Sequence, residues 1–193
     1  NLTVSDAVSV ANAKLLATTT TGPVTATIDT TETVDTLKTL YDTSETHAWT
    51  IVIAAGDATG NTAAEFNTIN NATSVAIDAS AVTGLASDTI SNIKTLLTAG
   101  NTDQFTADSF SSLATVVVSD TTLDVSDLVD AIDQANIATG NTTTVFDIST
   151  STTIDGGTEE NFTDLLIDKT NDQVSIGTQN LKVDSGTISV DNA

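Results

Sequence analysis

The chain contains no cysteine, no methionine and no arginine, and only one histidine, one tryptophan, one tyrosine and one proline in 193 residues. Without cysteine it has no disulfide, no thiol nucleophile and no cysteine-built zinc or iron–sulfur centre. The lone His47 excludes a multi-histidine metal site. Basic residues are scarce as well: five lysines face 26 acids, for a net charge of −21. Nucleic-acid binding needs Lys and Arg to displace phosphate counterions, so it is not expected here. Anionic membrane surfaces are disfavoured by the same repulsion. The longest apolar run, Ile51 to Ala55, is far too short to cross a bilayer, so no membrane insertion is expected. Disorder is not forced either: 39% of residues are hydrophobic and proline is nearly absent, unlike a disordered acidic tail.

What the chain does have is threonine, about one residue in five, and a recurring strand pattern. Short β-type runs end on a small or acidic residue: Leu2–Asp6, Val24–Asp29, Thr50–Ala55, Ser74–Asp78, Thr115–Asp120 and Thr143–Asp147. Their last apolar positions are Val4, Ile28, Ile53, Ile77, Val118 and Phe146, at intervals of 24, 25, 24, 41 and 28 residues. Most alternate, as half-buried strands do. Between them lie helical patterns: Val10–Ala17, Val34–Tyr41, Phe66/Ile69 behind a Thr62–Glu65 capping box, and Ile90–Leu97 behind Ser87–Asp88. Phe110/Leu113 suit one turn, Val125–Ile132 the longest helix, and Phe162–Leu166 the last.

A helix between consecutive strands requires parallel pairing, because a hairpin cannot make that connection. The expected class is therefore α/β: a short parallel β/α solenoid of about 24-residue strand-helix coils over residues 1–150. An ordinary α/β sheet with short helices is the alternative. The 41-residue interval is either one enlarged coil or two coils with a weak strand near Phe105. Residues 151–193 change character. Val174–Gly177, Leu181–Asp184 and Thr187–Val190 alternate between turns and predict a C-terminal β-meander or hairpin, acting as a cap or as an edge that pairs with another chain.

The strand-end acids are the candidate site. Equivalent carboxylates stacked about 4.8 Å apart repel unless satisfied. They either cap turns and helices by accepting N–H bonds or ligate Ca²⁺, which takes oxygen ligands. The candidate cation ligands are Asp29, Asp78, Asp120, Asp147, Asp168 and Asp172; the last two open a stretch, Asp168–Asp172, that begins like a calcium loop without completing one. Asp124, Asp127, Asp130 and Asp133 form an acidic stripe that reads as a solvated helix face. His47 has Asp42 and Glu45 near it in sequence but no GxSxG nucleophile turn, and aromatics at 4% leave little for a sugar-binding cleft. Trp49 is read as core or end-cap. The chain is not expected to be an enzyme.

Val4–Ala7, Thr25–Leu37, Ser74–Ile90 and Thr115–Ile132 carry a resemblance. Over roughly residues 1–150 the chain resembles the Thr/Ala/Asp-rich repeats of very large secreted proteins of aquatic bacteria, marine cyanobacteria especially, of the surface-layer and adhesin-like kind. The resemblance implies an extracellular or cell-surface location and a repetitive structural role, often with calcium. It supplies no catalytic residues. The calcium-binding GGxGxDxUx repeats of some such proteins are missing. The expected role is that of an extracellular structural protein whose partners are copies of itself, joined head to tail into a filament, sheath or surface layer. The alternative is an adhesive or ligand-binding repeat fragment of a giant surface protein or phage fibre, with cell-surface polysaccharide as a candidate partner. An Asn1 start fits a processed secreted chain or a piece of a longer one.

Overall fold

A computed structural model describes residues 1–41, 46–139, 144–151, 153–155, 173–175 and 182–183. Over these the chain is mixed α/β, with short, wholly parallel sheets. Strands β1 (Leu2–Thr3), β2 (Val24–Thr27) and β3 (Ala48–Thr50) form one sheet in chain order. Helices α1 (Val10–Thr19) and α2 (Val34–Leu37) lie between them, α2 running into a 3-10 turn at Lys38–Leu40. Next come a 3-10 turn at Ala55–Asp57, α3 (Ala63–Asn70) and α4 (Ile90–Gly100). Strands β4 (Thr115–Val117) and β5 (Thr122–Asp124) lead into α5 (Val125–Thr139). Strands β6 (Val145–Asp147), β7 (Thr153–Asp155), β8 (Val174–Ser175) and β9 (Lys182–Val183) complete two further sheets, ordered β4-β6-β8 and β5-β7-β9.

Isolated parallel bridges continue the pairing where no strand is long enough to name: Val8 to Ile28, His47 to Thr73, Val52 to Asp78, Ile77 to Phe105 and Asp88 to Val118. In every pair the partners are 20 to 31 residues apart. Phe105 thus supplies a parallel partner inside the long Ile77–Val118 interval. The expected C-terminal meander is not what the described strands form. β8 and β9 do not pair with each other; each adds in parallel to a separate sheet. Alternation revealed strand character but not partner, and the 28-residue step from Phe146 to Val174 repeats the spacing of the earlier pairs. Thr187–Val190 lies outside the described residues.

The strands stay short because Asp-x-Ser/Thr turns stop them. Asp29 accepts from the Thr31 N–H and hydroxyl, both at 2.9 Å; Asp78 does the same with Ser80 at 3.0 and 2.6 Å. Such a side chain offers the backbone a turn in place of the ladder. Ser9, Thr33, Thr62 and Thr89 then cap α1 to α4, each accepting the N–H three residues on. The Thr62–Glu65 capping box is formed on both sides. At α4 the cap is Thr89 rather than the Ser87–Asp88 pair.

Inward-facing residues form one apolar cluster from Val10 to Val174. Its aromatic centre is Phe110, edge-on to Phe66 at 6.0 Å and Phe105 at 5.0 Å between ring centroids. Phe110 adopts φ 61°, a left-handed conformation that a bulky residue avoids, and it is fully buried. Gly100 makes room for it: a Cβ there would lie 3.0 Å from the Phe110 ring. Gly100→Ala is expected to cost about 1–3 kcal/mol by overpacking, measured by urea denaturation.

Candidate functional site

The strand-end acids are occupied locally. Asp29 and Asp78 hold their own turns, and Asp147 accepts the Ser149 N–H at 2.9 Å. Asp120 is used differently, accepting the Ile90 N–H at 2.6 Å. Among the described residues no three His, Cys, Asp or Glu side chains gather as a metal cage. Asp168 and Asp172 lie outside the described residues.

The Asp120 bond belongs to a series. Glu32 accepts the Val10 N–H at 2.8 Å, Asp57 the Val34 N–H at 3.2 Å, and Asp88 the Ala64 N–H at 2.8 Å. Each of the four acids reaches back 22 to 30 residues to the first turn of the preceding helix. Helix N-termini carry unsatisfied N–H groups and a partial positive charge, so a carboxylate there is bonded twice over, by hydrogen bond and by dipole. Asp88 does most, also accepting the Thr89 N–H at 2.7 Å and the Asn92 amide at 2.8 Å. These clamps were not read from the sequence. The available signal was an acid one to five residues before each helix cap: Glu32 before Thr33, Asp57 before Thr62, Asp88 before Thr89, Asp120 before Asp124.

Other side chains bridge the same seams. Lys38 binds Asp35 at 2.6 Å and Glu65 on α3 at 2.7 Å. Lys94 on α4 binds Asp127 and Asp130 on α5 at 2.8 and 2.7 Å. The acidic stripe of α5 is therefore partly paired rather than simply solvated, and Asp124 accepts the Ser126 N–H at the helix start. Threonine and serine hydroxyls do likewise: Thr73 donates to the Trp49 carbonyl at 2.7 Å, Thr144 to Leu113 at 2.9 Å and Thr150 to Val118 at 2.6 Å. This accounts for part of the threonine richness.

Hydrogen bonds from Ser80 hold the Asp78 carboxyl below its ordinary value. For Glu65, partial burial pushes upward, but the Lys38 ammonium and the Thr62 N–H outweigh it and the net shift is down. A carboxyl lowered in the folded state contributes stability that is full above its unfolded value and lost as pH falls through the folded one. The melting temperature should therefore stay flat from about pH 7 to 5 and fall below about pH 4, as followed by circular dichroism.

The edge of β1 completes the site. The Leu2 and Val4 N–H groups bond to Pro23 and Thr25, so in a parallel strand the Thr3 N–H and carbonyl face the opposite way. Among the described residues no strand pairs with that side. Beside it in sequence stands Asp6, three residues before the α1 cap Ser9 and exposed, with no hydrogen bond to a helix among the described residues. Leu15 on α1 is 61% exposed, and Leu2, Val4 and Leu16 are only partly covered. Parallel strand pairing and an acid on the preceding helix N-terminus recur inside the molecule at α1 to α4.

Cavities lie elsewhere among the described residues. A trough of about 430 Å³ runs along α3 and α4, lined by Asn67, Asn70, Asn71, Lys94, Thr98 and Gln104 among others. A smaller one of about 150 Å³ opens between α1 and β3. Its floor holds His47 and Trp49, 2% and 1% exposed, which makes Trp49 core rather than a sugar platform. Asp42 and Glu45 lie outside the described residues. No helix among the described residues is long and apolar enough to cross a membrane. Compared with known proteins, the chain matches no family model, no curated protein and no solved structure.

Proposed function

We propose that this chain is an extracellular structural protein, a short parallel β/α solenoid whose copies join head to tail. The observation that carries the proposal is the β1 edge. Inside the molecule the N-termini of α1 to α4 each hold an acid from the following segment, alongside parallel strand pairing. At β1 the outward Thr3 groups and the exposed Asp6 offer both of these, and among the described residues no strand pairs with that side. The far end of a second copy is the occupant that this chemistry fits. Such a contact is heterologous and does not close, so it builds a filament or layer. Copies at −21 repel in low salt, so Ca²⁺ or another cation acts between copies by screening and bridging, rather than inside an internal cage.

Thr3→Pro tests this. It removes the outward N–H but no internal bond, and proline is tolerated on a sheet edge. In sedimentation velocity with calcium and physiological salt, the parent chain should run as polymer and Thr3→Pro as monomer, with the same thermal melt. A monomeric parent, or a variant that polymerises equally, overturns the proposal.

The trough along α3 and α4 favours a second reading, an adhesive repeat segment. Its side-chain amides and hydroxyls suit the hydroxyls of a surface polysaccharide. That reading expects retardation of the chain in gels containing neutral polysaccharide, lost in Asn71→Leu. Unretarded migration counts against it.

A further inference from the structure

We propose that the trough along α3 and α4 takes a linear, uncharged polysaccharide lengthwise, held by many weak contacts, so that binding depends on chain length. The proposal rests on the adhesive reading of that trough and adds the shape, charge and length of its ligand.

The shape follows from the lining. Ser91, Thr95 and Thr98 are exposed and recur at helical spacing on one face of α4, over about 10 Å of helix. Thr102 continues the line past the helix end. Asn67 and Asn70 of α3, with its C-cap Asn71, line the same trough. A second cavity of about 260 Å³ shares Asn70, Asn71 and Gln104 with it and leads on to Ser74. The two make one path, of which a single sugar ring fills only a part. The charge follows from what is already paired. Lys94 lines the trough, but Asp127 and Asp130 hold it at 2.8 and 2.7 Å. Its ammonium is committed to carboxylates, and a chain at −21 repels a polyanion. Amides and hydroxyls pair instead with uncharged hydroxyls.

The length dependence follows from how each ring is held. None of the described residues lining either cavity is aromatic; Trp49, Phe66, Phe105, Phe110 and Phe146 are buried in the core. Sugars therefore bind here through hydrogen bonds, and each bond exchanged with water adds little. One ring binds weakly, and affinity should grow by about fivefold per added unit until the path is full.

Competition in affinity gels tests this. The full chain is run through gels containing dextran, laminarin or hydroxyethyl cellulose, three uncharged glucans, and sodium alginate, a linear polyanion. A glucan should retard the chain and alginate should not. Glucose and the linear glucose hexamer of the retarding linkage then compete. The hexamer should release the chain at about tenfold lower concentration of sugar units than glucose. Ser91→Leu, at one end of the trough, and Gln104→Leu, where it meets the second cavity, should each weaken hexamer binding about fivefold, with the circular dichroism spectrum unchanged. Retardation by none of the glucans overturns the adhesive reading and this proposal with it. Retardation that glucose reverses as well as the hexamer does leaves the adhesive reading standing and overturns this proposal. Equal retardation by alginate, or weakening at only one of the two positions, does the same.

Discussion

Replacing Asp88 with alanine is expected to lower stability by about 2–4 kcal/mol, the largest effect of any single acid. Asp88 is 9% exposed and accepts from three donors: the N–H groups of Ala64 and Thr89 and the amide of Asn92. Alanine leaves all three without that acceptor, in a seam shared by α3 and α4. Asp88→Asn keeps an acceptor but loses the charge at the helix N-terminus, and should fall between. Asp6→Ala is the control: Asp6 is exposed and clamps no helix among the described residues, so its loss should stay within about 0.5 kcal/mol in the monomer. Urea denaturation of the three variants measures the series. An Asp88→Ala loss as small as that expected of Asp6→Ala would show that this clamp carries no stability.

Phe110 yields the second large effect, with an unusual order. Phe110→Ala should cost about 3–5 kcal/mol, because the ring is fully buried against Phe66 and Phe105. Alanine at φ 61° still carries the left-handed strain, whereas glycine does not. Phe110→Gly should therefore be about 1 kcal/mol less destabilising than Phe110→Ala, reversing the usual preference. Differential scanning calorimetry of both variants decides it. Glycine worse than alanine would mean that the backbone at 110 relaxes to negative φ once the ring is gone.

Much of the α/β pattern was legible because it rests on local signals. Alternation at Ala26 and Ile28 marked the β2 run, and the capping box at Thr62–Glu65 marked the start of α3. Parallel pairing followed from the intervening helices, and Phe105 could be named as a strand partner inside the long interval. What was not legible is long-range. Whether an acid holds its own turn, as Asp29 does, or the helix of the preceding segment, as Asp120 does, depends on a residue 30 positions away. The strand Thr122–Asp124 escaped notice because three residues are too few to show alternation, and only its parallel partner at Thr153–Asp155 defines it. The tail was misread as a meander for the same reason: alternation specifies a face, never a neighbour. Nor could the gathering of Lys14, Tyr41, His47 and Trp49 be read from sequence, since it joins α1 to residues some 30 positions further on.

The threonine and acid composition now has a structural account. Hydroxyls and carboxylates replace a large aromatic core by stitching each segment to the previous one, through bonds such as Thr73 to Trp49 and Asp57 to Val34. Under the proposed head-to-tail assembly, the side of β1 that is unpaired among the described residues would gain by pairing with another copy.

Negative-stain electron microscopy of the parent chain in physiological salt, with calcium and then with a chelator, tests that account most directly. It predicts regular filaments or sheets with calcium that shorten or disperse on chelation. Monomeric particles under both conditions would contradict it.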